Sequence, residues 1–265
     1  MKASPSKKNN EIIFRQLPSQ EQMSYYYFLP KTVKKVLILV HGISRNTKEI
    51  INAFKPLAEK NHVLLIAPIF KKGFAKDYQR LGRNGKGPRS DYLLMGIIKD
   101  CKSLTNIQFN KFNLFGFSAG AQFAHRFAFA HPALVEKVAL VAAGWYTLPT
   151  SHLAYPWGLK LKKEFNDVTF TPKRFLRINY RVYIGDKDNK RDTSLNKNST
   201  IDETQGLNRL ERASSWIELM QLQFQKHGIN NNIELEVLQN STHDFVSCVD
   251  NANLHIQVME WLNDE

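Results

Sequence analysis

The stretch "NLFGFSAGAQFAHRFAFAHP", residues 113–132, places Ser118 between two glycines in the order Gly116-Phe117-Ser118-Ala119-Gly120. Just ahead of the serine, Phe112-Asn113-Leu114-Phe115 is a short apolar run of the kind that forms a strand buried on both faces. After it, Ala119, Phe123, Phe127 and Ala130 recur at helical spacing with further Ala and Phe between them, which describes a helix apolar on most sides and therefore buried. His131-Pro132 ends the pattern, because proline disfavours helix for the residue before it. A serine at such a strand-to-helix turn has its hydroxyl lifted above the end of the sheet. The small flanking residues are a steric requirement where the two backbones cross. Ser118 is thus the candidate nucleophile.

Around this core, strand and helix signals alternate, which predicts an α/β fold with a mostly parallel sheet covered on both faces. Strands are predicted over 12–17, 24–29, 35–40, 63–69, 112–115, 138–142, 179–184 and 233–238, the first two as an antiparallel edge pair. Helices are predicted over 48–59, 91–104, 119–130, 207–226 and 246–262, with Pro56 kinking or splitting the first and Ser90 capping the second. The second carries an apolar stripe of Leu93, Ile97, Cys101 and Leu104. The chain is read as one α/β domain of 265 residues whose basic start, residues 1–10, is a flexible polar tail rather than a secretory signal. Its longest apolar runs are far too short to span a bilayer. Cys101 and Cys248 lie far apart without metal-ligand spacing, so both are expected as buried free thiols in a reducing cytoplasm.

A serine hydroxyl attacks an acyl carbon at neutral pH only with a base beside it, and the base needs an orienting acid. Among the eight histidines, His243 stands out. It follows a predicted strand and precedes the last helix, on a loop at the carboxyl end of the sheet where ligands gather in open α/β folds. His41 closes an apolar strand in "VLILVHGISRN". The acid belongs after the strand at 179–184, in "VYIGDKDNKRD", where Asp186 and Asp188 compete and Asp192 is more distant.

His41-Gly42 after a strand, Gly116-Phe117-Ser118-Ala119-Gly120, Gly185-Asp186-Lys187-Asp188 and Ser241-Thr242-His243-Asp244 resemble, in that order, the motifs of the α/β-hydrolase fold superfamily. "HGISRN" and "QGLNRLERA" further resemble a bacterial esterase branch of polyester-depolymerase-like and feruloyl-esterase-like proteins. The resemblance implies a mostly parallel eight-stranded sheet, a Ser118–His243–Asp188 triad with Asp188 at the end of a Gly-x-x-Asp turn, and no cofactor or metal. It also implies an oxyanion hole from the backbone N–H groups of Ala119 and Ile43. A carboxylic-ester hydrolase acting on a small acyl ester is the expected activity. A peptidase, an acyltransferase or a non-catalytic binding protein on the same fold remains open.

Residues 146–173 occupy the place where this superfamily inserts its cap, here a small one, and Trp145, Tyr146, Tyr155 and Trp157 could wall an acyl pocket or pack beneath a loop. The formal net charge of +13 includes a basic stretch at Lys71, Lys72, Lys76, Arg80, Arg83, Lys86 and Arg89 with Asp77 as its one acid. That stretch is read as a solvated loop, or else as a rim attracting anionic substrates. No nucleic-acid-binding motif accompanies the charge.

Overall fold

The computed structural model describes residues 11–83, 86–161 and 165–264; the basic tail at 1–10 and residues 162–164 of the expected cap lie outside the described residues. Eight strands are β1 (Ile12–Gln16), β2 (Ser24–Phe28), β3 (Lys35–Val40), β4 (Val63–Ile69), β5 (Phe112–Phe117), β6 (Val135–Val141), β7 (Asn179–Gly185) and β8 (Ile233–Leu238). They form one sheet in the order β1-β2-β4-β3-β5-β6-β7-β8. The β1/β2 and β2/β4 pairs are antiparallel and the rest parallel. Order and direction follow from the connections. A short turn joins β1 to β2 as a hairpin and a loop leads from β2 to β3, whereas crossovers containing helices keep β3 to β8 parallel to one another.

Alternate residues of the central strands face opposite layers, as a two-residue period demands. Val36, Ile38 and Val40 join Leu64, Ile66, Leu114, Val138 and Leu140 in one layer. Leu37 and Leu39 join Leu65, Ala67, Phe115, Ala139 and Val141 in the other. The first layer is completed by α2 (Ser90–Thr105), α3 (Ala119–Ala130) and α6 (Arg209–His227), the second by α1 (Thr47–Lys60), α7 (Phe245–Ala252) and α8 (Leu254–Asn263). Two short helices, α4 (Pro172–Phe175) and α5 (Ser199–Gln205), have no counterpart in the sequence reading. No helix of the described residues is long and apolar enough to cross a membrane.

Four local expectations are corrected. Helix α1 runs through Pro56 without a break, because one missing N–H is outweighed by the buried face of Ile50, Ile51, Phe54 and Ala58. Ser90 is the first residue of α2 rather than its cap; its hydroxyl donates to the Tyr78 carbonyl instead. The buried stripe of that helix is Leu94, Ile97, Ile98 and Cys101, while Leu93 and Leu104 are half-buried. The predicted final helix is two helices that meet at Asn253, whose left-handed backbone (φ 53°) closes α7 and turns the chain into α8.

Between β6 and β7 lies a long connection that includes the expected cap segment, in which Ala154 and Lys160 form an isolated bridge. Its Tyr146, Tyr155, Phe165 and Phe170 are buried. Both cysteines are free and buried.

A close backbone crossing lies at the start of α3. A methyl group at Gly120 would overlap the carbonyl oxygens of Val40 and His41, and one at Gly116 would overlap the Gly120 backbone. Gly120→Ala is therefore expected to destabilise the protein by roughly 1–3 kcal/mol or more, the usual range for overpacking. Gly73→Ala, with nothing within 4 Å of the added carbon, should leave the unfolding midpoint unchanged. Thermal denaturation of the two variants checks this, and equal midpoints would contradict the crossing.

Candidate active site

Ser118 lies between β5 and α3 with φ 55° and ψ −112°, a combination that side-chain-bearing residues rarely adopt. Its neighbours hold it there. The Ser118 N–H donates to the Val141 carbonyl at 2.8 Å, and its own carbonyl accepts from the Gln122 N–H at 3.2 Å. The turn throws the side chain above the carboxyl ends of the strands, where its Oγ lies 3.0 Å from His243 Nε2.

His243 stands on the loop after β8. Its ring stacks on Phe117 (centroids 5.5 Å apart), and its Nδ1 lies 2.8 Å from Asp188 Oδ2. With the carboxylate on Nδ1, the imidazole carries its proton there and presents Nε2 to the serine as acceptor. The two loops are locked together. Asp186 Oδ1 accepts from the Ser241 N–H at 3.0 Å, and the Lys187 N–H donates to the Ser241 carbonyl at 3.1 Å. Asp186 is thus spent on the backbone, while Asp188, two residues on in the same turn, meets the histidine. Asp192, the most distant of the three acids, pairs with Arg209, whose hydrogen bonds hold its carboxyl well below the usual carboxylate range.

His41 is fully buried behind β3. The Phe70 N–H donates to its Nε2 at 3.0 Å, so its proton sits on Nδ1, which donates to the Gly42 carbonyl at 2.7 Å. The 42–43 peptide is trans, since the described residues contain one cis peptide, Tyr155–Pro156. Its N–H, that of Ile43, is therefore directed away from His41. Ala119 is the first residue of α3, so its N–H has no intrahelical acceptor. Gly42, Ile43, Ser118 and Ala119 line one wall of a cleft of about 440 Å³.

Phe117, Trp145 and Phe245 supply the apolar part of that cleft; Asn46, Gln79, Arg80, Gln122, Asn196 and Arg209 supply much of the polar part. Of the four aromatics singled out in the sequence, Trp145 reaches the cleft. Tyr146 is stacked on Trp216 in the core (4.8 Å between centroids), Tyr155 packs on Phe165, and the half-buried Trp157 is not among the lining residues. The basic stretch divides similarly. Arg80 and Arg83 pair with the buried Asp77, and Arg89 pairs with Asp91 and Asp167. Arg80 lines the cleft, whereas Lys71, Lys72, Lys76 and Lys86 are exposed outside its lining.

No protein-family model and no curated protein sequence matches the chain. Solved structures do. A poly(3-hydroxybutyrate) depolymerase of Bordetella parapertussis superposes with a TM-score of 0.76 at 21% identity, over 96% of this chain and 90% of that one. Poly(aspartic acid) hydrolase-1 of Sphingomonas sp. KT-1 gives 0.74 at 19% identity, over 90% and 93%. A fluorophosphonate-binding serine hydrolase of Staphylococcus aureus gives 0.58 at 13% identity, over 96% and 98%. The chain has the α/β-hydrolase fold.

Within this α/β-hydrolase scaffold, sequence reasoning passed over Arg209. The stretch "NRLER" lies in the quoted "QGLNRLERA", and its arginines recur three apart on the stripe that buries Ala213, Trp216, Ile217 and Met220. Two arginines on the apolar face of an amphipathic helix are a signal for buried ion pairs.

Two histidines are fixed as neutral hydrogen-bonding parts. Burial pushes His41 down to about 4, aided by the nearby Arg45 charge, and pushes His125 well below its usual value, aided by Arg126. His125 Nε2 accepts from the Thr147 N–H at 2.9 Å, and its Nδ1 faces the Ala121 carbonyl. Because the folded protein resists protonating either ring, the unfolded chain binds more protons below pH 6.5. Stability should therefore be complete at neutral pH and fall as pH drops, by about 1.4 kcal/mol per pH unit for each histidine. Urea denaturation at pH 7 and pH 5 measures this. Equal stabilities would mean that both rings protonate without cost in the native state.

Proposed function

We propose that the protein is a serine hydrolase that cleaves small carboxylic esters, with Ser118 as nucleophile, His243 as general base and acid, and Asp188 as the orienting carboxylate. The observation that carries this reading is the continuous hydrogen-bonded chain from Ser118 Oγ through both nitrogens of His243 to Asp188 Oδ2, at 3.0 and 2.8 Å. The chain begins at a strained turn on the floor of the cleft.

As Ser118 Oγ attacks the acyl carbon, its proton passes to His243 Nε2, and Asp188 stabilises the imidazolium that forms. The carbonyl oxygen becomes an oxyanion received by the N–H groups of Ala119 and Ile43. The first sits at the amino end of α3, where the helix dipole favours negative charge. His41 supports the second through the Gly42 carbonyl it holds. The imidazolium then protonates the leaving alcohol. Water attacks the acyl-enzyme with His243 again as base, releasing the acid and restoring the serine. A cleft with Trp145 and Phe245 beside Asn46, Gln122 and Asn196 suits a short acyl ester with polar groups better than a long alkyl chain.

A fluorophosphonate probe should label the wild-type protein and fail to label Ser118→Ala, which should also lose hydrolysis of short activated esters while keeping its thermal transition. Asp188→Asn should lower turnover by about 10⁴, as expected when the orienting acid is lost. Asp186→Asn, which keeps an oxygen for the Ser241 N–H, should retain most of its turnover. An active Ser118→Ala variant, or a larger loss at position 186 than at 188, would overturn these roles.

A further inference from the structure

The Asp188 carboxylate has two oxygens and two partners. Oδ2 faces His243, and Oδ1 accepts from Arg209 Nη1 at 2.9 Å. Arg209, the first residue of α6, is 1% exposed, and its fork spans a second acid. Nη1 donates also to Asp192 Oδ2 at 2.7 Å, while Nη2 donates to Asp192 Oδ1 at 3.3 Å and to Ser194 Oγ at 2.6 Å. We propose that Arg209 is a positioning residue for the Ser118–His243–Asp188 chain, aiming the carboxylate at the imidazole and limiting how tightly it holds a protonated ring. The proposal rests on the hydrolase reading above.

The steric part follows from where Asp188 sits. It ends a tight turn whose N–H donates to the Gly185 carbonyl at 3.0 Å, so its side chain alone sets the direction of Oδ2. A guanidinium buried against Oδ1 stops the carboxylate from rotating away from the ring. The contact to Asp188 is a single charge-assisted hydrogen bond, stronger than a neutral one, and the guanidinium that makes it is itself held by the forked contacts to Asp192 and Ser194.

The electrostatic part follows from the charge count. Asp188, Arg209 and Asp192 together carry one negative charge, enough to stabilise the imidazolium formed during attack. Without Arg209 the ring would face an unopposed buried carboxylate. Without Asp192 it would face a nearly neutral pair.

The other ionisable groups near the ring are the same in the wild type and in every Arg209 or Asp192 variant. Asp244 caps α7 through the Ser247 N–H, and Asp186 is engaged by Ser241. Burial pushes the Cys248 thiol up to about 12 and raises the Tyr146 hydroxyl, so both stay neutral. Lys187 donates to Asn240, and with Lys190 it lines a neighbouring pocket that His243 also borders.

The test is an NMR titration of the His243 imidazole in the wild type, Arg209→Met, Arg209→Lys and Asp192→Asn, with kcat and KM measured on one activated ester. In Arg209→Met the pH of proton uptake should rise by about 0.5–1 unit, as for the loss of a neighbouring opposing charge. Its kcat should fall about 10- to 100-fold with KM within about threefold, the pattern of a lost transition-state interaction. Arg209→Lys keeps the charge but not the fork, so it should titrate like the wild type and recover part of kcat. Asp192→Asn should shift the ring in the opposite direction, to lower pH.

Unchanged titrations, or shifts of the same sign at 209 and 192, would overturn the proposal, as would a loss carried by KM. If Arg209→Met fails to fold because the buried Asp188 carboxylate loses its cation, Arg209→Lys and Asp192→Asn still test it. The ring titrates whether or not the protein turns over substrate. A wild type inert to esters and to fluorophosphonate would therefore sink the hydrolase reading without deciding the role of Arg209.

Discussion

The architecture depends on how closely α3 crosses the sheet. Only hydrogen atoms on Gly116 and Gly120 let the helix backbone meet β3 and β5 without overlap. That approach forces Ser118 into its positive-φ conformation, φ 55° and ψ −112°. The strain persists because the surroundings over-determine it: the Val141 carbonyl and the Gln122 N–H hold both ends of the residue, and the buried helix behind it cannot shift. The same crossing brings the Ala119 N–H to the cleft and puts Gly42 against Ser118 Cβ, where an added methyl would lie 3.5 Å away. Ser118, the helix terminus and the loop after β3 are positioned by one contact.

The loops above the sheet lack a backbone ladder of their own, and buried arginines hold them instead. Arg126, on α3, donates to the Gln79 and Gln122 carbonyls and to Thr147 Oγ1, with its guanidinium 4.3 Å from the centre of the Trp145 ring. Arg212 donates to the Gly144, Asn196 and Gly206 carbonyls and to Asp202. Five planar donors on one side chain satisfy several otherwise unpaired carbonyls at once, which explains how segments without regular structure remain buried. Arg126 faces no carboxylate in these contacts, and burial pushes it down to about 9. Its role in the fold is that of a hydrogen-bond donor more than an ion-pair partner.

Histidine shows how position decides chemistry. His41, His125 and His243 each hold one proton between a fixed donor and a fixed acceptor. The first two are enclosed and serve as rigid bridges between backbone segments. The third is partly exposed beside a cleft, with its acceptor nitrogen on a serine hydroxyl instead of a backbone N–H.

Much of this was legible along the chain, because the relevant constraints are local. Alternation of apolar runs and helical stripes predicts the layered parallel sheet. Glycines flanking a serine predict the sharp turn, and the loops carrying Asp188 and His243 could be placed at the strand ends from the order of elements alone. Local patterns failed where burial overrode propensity, as at Pro56, or where an unremarkable Asn253 adopts a left-handed turn between two helices. Choosing between Asp186 and Asp188 from the residues alone was beyond the sequence, since both lie in one four-residue turn. Only the packing of β7 against β8 turns one toward the Ser241 backbone and the other toward the ring. Arg209 was equally out of reach, being 21 positions from Asp188 along the chain and 2.9 Å from it in space. Sequence spacing determines what each segment forms by itself, whereas the pairing of charges between segments is decided when the tertiary fold removes water from between them.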